Sequence, residues 1–87
     1  MTSFTQKILP LFEPHDVDCM IDHGVKLNDF EYMSDAAGDE DFPDHAHARR
    51  VYAHLSGAMF PRMPPGTPWS SANQMLFRQW MDDGFTP

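Results

Sequence analysis

The chain has 87 residues, 41% of them hydrophobic, with 13 acidic against 6 basic side chains and a formal net charge of -7. That length holds one small domain spanning 1–87 and excludes a second hydrophobic core. An acidic balance without a basic stripe gives no electrostatic attraction to a nucleic-acid backbone or an anionic membrane, so both are excluded as principal partners. Cys19 is the only cysteine, which excludes an internal disulfide and a CxxC thiol pair. The opening Met1 to Leu11 lacks the long apolar region and cleavage site of a secretory leader, and no run approaches the roughly 20 apolar residues of a membrane helix. The expectation is a cytoplasmic protein.

In chain order, Ser3 and Gln6 match a capping box, and Phe4, Ile8, Leu9 and Phe12 recur at helical spacing. Pro10 should shorten or bend that helix by removing a backbone donor. A second short helix is expected to start near Pro14 to Asp16, with Val17, Cys19, Met20 and Ile21 as its apolar residues and Gly24 as its stop. Asn28 to Asp44 reads as an acidic loop with a helical turn at Asp29 to Ser34. From Asp44 as N-cap, Ala48, Val51, Tyr52 and Leu55 make one helical face that Gly57 ends. The run PRMPPGTP, Pro61 to Pro68, cannot be regular helix or central strand and reads as a loop packed on the domain. Ser71 with Gln74 opens a last helix striped by Leu76, Phe77, Trp80 and Met81 up to Gly84. No strand alternation occurs, so the predicted fold class is all-α, with three to five short helices and long connections.

Two stretches carry a resemblance. ILPLFEPHDVDCM is similar to the start of small bacterial cytochrome c domains, where such a helix leads into the haem-attachment run CxxCH. MPPGTPWSSANQMLFRQWMDDG resembles their closing section, where an MPPG loop carries the axial methionine before a final amphipathic helix. The two lie in the family's order and cover somewhat more than a third of the chain. The resemblance implies a cytochrome c-like bundle with Asp16 at the first attachment cysteine, Cys19 at the second, Met20 at the proximal histidine and Met63 at the axial methionine. Two thioethers need two thiols and the iron needs an imidazole, so these degenerate positions imply a scaffold without haem c and no cofactor. With the haem gone, Phe12, Met20, Phe77 and Trp80 are expected to fill the middle, because a dry void costs on the order of 24 cal/mol per Å³.

Other constellations compete with plainer readings. His45, His47 and His54 fall in HAHARRVYAH and are the candidate metal set, with Met59 or Met63 as a thioether ligand for a metal such as copper. Their spacing is poor for a helical chelate, and a solvated histidine face is the alternative. Asp35, Asp39, Glu40, Asp41 and Asp44 fail the calcium-loop pattern, because Gly38 precedes the alternating acids. Cys19 beside His15 or His23 lacks an orienting third residue and reads as buried packing rather than as a nucleophile, and Asp82 with Asp83 carries no acid–base signal. The expected function is a non-catalytic accessory module that binds another protein, an oxidoreductase or biosynthetic enzyme, through exposed Tyr32, Met33, Met59, Phe60 and Trp69. The alternative is a metal- or small-ligand-binding protein that uses the histidines and Met63.

Overall fold

A computed structural model of the chain describes residues 2–60, 62–63 and 69–87. A π-helical segment, Phe4–Ile8, runs into a 3-10 turn, Leu9–Leu11. Four α-helices follow: α1 (Pro14–Ile21), α2 (Phe30–Met33), α3 (Ala46–Ser56) and α4 (Ser71–Asp82). Among the described residues there is no strand, and no helix is long and apolar enough to cross a membrane. The all-α expectation therefore holds at the level of class. Most of the predicted proline loop, Pro61 and Pro64 to Pro68, lies outside the described residues.

Local chemistry explains where the elements begin and end. Ser3 Oγ accepts the backbone N–H of Gln6, as the capping signal predicts, but Pro10 cannot donate within a helix, and the chain tightens into the 3-10 turn around it. Pro14 occupies the first turn of α1, where a missing N–H costs nothing. The expected helical turn after Asp29 is α2, capped by the Asp29 carboxylate on the Glu31 N–H. Gly57 ends α3 at φ +85°, a left-handed conformation that glycine adopts without a Cβ clash.

Two caps differ from expectation by one residue. The N-cap of α4 is Ser70, whose hydroxyl accepts from the Asn73 N–H, rather than Ser71. The N-cap of α3 is His45 rather than Asp44, because the Asp44 carboxylate is held by His45 Nδ1 at 2.8 Å and Arg49 Nη2 at 3.1 Å. His45 and Phe85 both adopt positive φ, at 46° and 59°, which costs non-glycine residues of order 1–3 kcal/mol each. Their rings stack on each other with centroids 3.7 Å apart, and the Arg49 guanidinium covers Phe85, so packing offsets the backbone cost.

The core is aromatic. Phe77 and Trp80 of α4 are fully buried, together with Phe4, Ile8 and Met33. Phe77 packs against Phe12, Tyr52, Trp69 and Trp80, while Trp80 packs against Phe4 and Phe85. The Trp80 indole N–H and the Phe4 N–H both donate to the Thr86 carbonyl, at 2.7 and 3.1 Å. The Thr2 N–H donates to Asp83 and the Thr86 hydroxyl to the Thr2 carbonyl, so the segments around Thr2 and Thr86 are stitched to the end of α4. On α3, Ala48, Val51 and Leu55 are buried and Tyr52 half-buried, as the periodicity predicts.

α1 departs from its predicted face. Val17 and Met20 pack on the core, but Cys19 and Ile21 are exposed, so the reading of Cys19 as buried packing is corrected. An eight-residue helix lying against one side of the body covers only a narrow stripe, and Cys19 and Ile21 fall off it.

These contacts set two expectations. Phe77→Ala should cost about 3–5 kcal/mol of stability in urea unfolding, against about 1 kcal/mol for removing the cap with Ser70→Ala. Hydrogen bonds from Thr2, first its backbone N–H, and from Gln79 hold the Asp83 carboxyl below its ordinary value of 3.8. That stabilisation is complete above about pH 3.8 and is lost as pH falls through the folded value. Asp83→Asn should therefore flatten the acid limb of a melting-temperature profile, and an unchanged limb would exclude this contribution.

Candidate functional site

Two helix faces and a pair of loops line a cavity of about 340 Å³ that is open to solvent on one side. From α1, Asp16 and Met20 face it at four-residue spacing, with His23 following just beyond the helix. From α3, His47, Arg50, Val51, His54 and Leu55 form the facing stripe, the three- and four-residue repeat of one helical side. Val25, Leu27 and Tyr32 close one boundary, while Phe12, Met63 and Trp69 complete the lining among the described residues. The Met63 N–H donates to the His54 carbonyl, which fixes that methionine beside the end of α3.

This cavity corrects the expectation of a filled middle. Phe12, Phe77 and Trp80 do pack the core, but Met20 lines an opening and does not seal it. At about 24 cal/mol per Å³, a sealed dry void of 340 Å³ would cost about 8 kcal/mol, comparable to the whole stability of a small domain. The site is instead open to solvent, and Asp16, His23, His47, Arg50 and His54 stand among its mainly apolar lining.

The polar residues are prepared differently. His47 Nδ1 lies 2.9 Å from the Tyr32 carbonyl oxygen, and its ring stacks on the Tyr32 ring with centroids 3.8 Å apart. A carbonyl can only accept, so Nδ1 carries the proton and Nε2 of the neutral ring presents a lone pair. Burial pushes the Tyr32 phenol above its ordinary value. Arg50 is held through Nη2 by Asp39 at 2.6 Å and Asp41 at 3.1 Å, and it covers the Phe42 ring. Those two carboxylates raise the Arg50 pKa, and Arg50, with the Phe42 and Asp41 backbone N–H groups, lowers that of Asp39. The acidic loop is thereby pinned to α3. Its Gly38 lies so close to the Pro43 carbonyl that a Cβ there would collide with it.

The predicted site residues separate into groups. Asp16, Met20 and Met63 come together in the lining, whereas Cys19 lies exposed outside it. One exposed thiol does not fit thioether attachment of haem, which needs two beside the ring. His47 and His54 face the cavity, while His45 turns away to Asp44 and Phe85. Among the described residues no three His, Cys, Asp or Glu side chains gather as a metal-holding group. Of the expected partner-binding residues, Phe60 is exposed, Tyr32 and Met59 are half-buried, and Met33 and Trp69 are buried. The surface reading of Met33 and Trp69 is thus corrected, because Met33 joins the core and Trp69 packs against Phe12 and Phe77.

Sequence reasoning did not single out His23 or Arg50 as cavity residues. The seven-residue separation of His47 and His54, unfavourable for a chelate, is the spacing that sets both along one long wall. Comparison with family models, with curated proteins and with solved structures finds no match to this chain.

A long-range proton–nitrogen spectrum of the neutral protein should show His47 protonated at Nδ1. Protonation at Nε2 would refute the assigned orientation.

Proposed function

We propose that this protein is a non-catalytic domain that binds a small organic molecule, built on a haem-less relative of the cytochrome c scaffold. The observation that carries the reading is the 340 Å³ cavity, within the range of about 300–1,000 Å³ typical of small-molecule sites. Its composition matches such sites, with apolar walls from Phe12, Leu27, Val51, Leu55 and Trp69 and a few convergent polar groups. The size, near the lower end of that range, suits a molecule of one or two rings. The scaffold reading is supported by the order of the elements and by the presence of Asp16, Met20 and Met63 around one cavity. Those are the positions that the sequence resemblance assigns to the haem site.

Binding of another polypeptide is the second reading. It is favoured by Phe60, which is 87% exposed although it is a large apolar side chain.

The cavity reading is tested with indole as a neutral probe. Indole should shift the amide signals of Val51 and Leu55 and the side-chain signal of Trp69. Met20→Trp, which fills the site from α1, should abolish those shifts and raise unfolding stability by about 0.5–2 kcal/mol. Shifts confined to residues away from the cavity would overturn the reading.

A further inference from the structure

Resting on the cavity reading above, we infer that the occupant is an organic cation: an amine carried on one or two aromatic rings, with its ammonium group held by Asp16 and His47.

Charge matching points to the sign. The formally charged side chains in the described lining are Asp16 and Arg50. Arg50 already faces two carboxylates, Asp39 and Asp41, so its charge is answered from outside the cavity. Asp16 makes no ion pair with a described residue and, in the first turn of α1, meets only the partial positive charge of the helix end, so it is the lining charge without a counter-ion. An anionic ligand would meet Asp16 as a like charge and a guanidinium already engaged, both unfavourable in a partly dehydrated site.

The neutral groups agree. His47 offers a lone pair at Nε2, because Nδ1–H is committed to the Tyr32 carbonyl, and a lone pair accepts from an ammonium N–H. Phe12, Tyr32 and Trp69 bring aromatic rings to the same cavity, and ring faces attract cations while stacking on a planar ligand. The net charge of -7 over 87 residues favours approach of a cation from solution.

The test compares tryptamine, indole and indole-3-propionate, which share a ring system and differ in charge, by calorimetric titration of the full chain. Tryptamine should bind at least tenfold more tightly than indole, and indole-3-propionate more weakly than either. Asp16→Asn should remove most of the tryptamine advantage, read as the ratio of tryptamine to indole affinity within the variant, while His47→Phe, which keeps a ring over Tyr32, should lower that ratio several-fold. Circular dichroism of each variant verifies the fold. Indole binding with no preference for tryptamine, equal binding of indole-3-propionate, or an advantage that survives Asp16→Asn would overturn the inference and leave the cavity reading standing. If none of the three binds the wild-type chain, both fall.

Discussion

The Phe77–Trp80 pair of α4 is the contact on which the rest of the molecule depends. Phe77 reaches Phe12, Tyr52 and Trp69, and Trp80 reaches Phe4 and Phe85. Two side chains one helical turn apart thus join the N-terminal segment, α3 and the segments flanking α4. Aromatic pairs add about 0.5–1.5 kcal/mol each beyond the area they bury, which matters in a domain too small to bury much surface. The Trp80 indole N–H finds the Thr86 carbonyl, and among the described residues no buried side-chain polar atom lacks a partner.

The same pair explains why an opening persists beside a dense core. Phe12 and Trp69 pack with Phe77 on one side and line the cavity on the other. Their positions are set by α4, so they cannot collapse further into the space between α1 and α3. α1 is short and contributes one stripe, of which Asp16 and Met20 face the opening. Closing the gap would bury the Asp16 carboxylate and the histidine edges, and desolvating those groups without partners is unfavourable.

The acidic loop has a structural role and shapes the electrostatics of the site. Asp39 and Asp41 hold Arg50 from outside, and Asp44 holds Arg49. The five loop acids fail the calcium-loop pattern in the sequence, and in the structure three of them serve as anchors for the arginines of α3. A consequence is that Arg50 faces the cavity with its charge already matched. This balance underlies the proposal that the pocket takes a cation in spite of the arginine in its wall.

How much was legible in the sequence follows from the range of each interaction. Capping signals, the proline breaks, the left-handed stop at Gly57 and the apolar stripes of α3 and α4 involve residues within a turn of one another, so the all-α class and the buried faces could be read directly. The one-residue errors at Asp44 and Ser71 arose where neighbouring residues offered competing hydrogen-bonding side chains. The exposure of Cys19, the burial of Met33 and Trp69 and the division of the histidines depend on which distant segments pack against them. Local sequence determined helices and their apolar faces. The cavity, the tautomer of His47 and the neutralisation of Arg50 were decided by tertiary structure, because each needs groups far apart in the chain to meet at hydrogen-bonding or stacking distance.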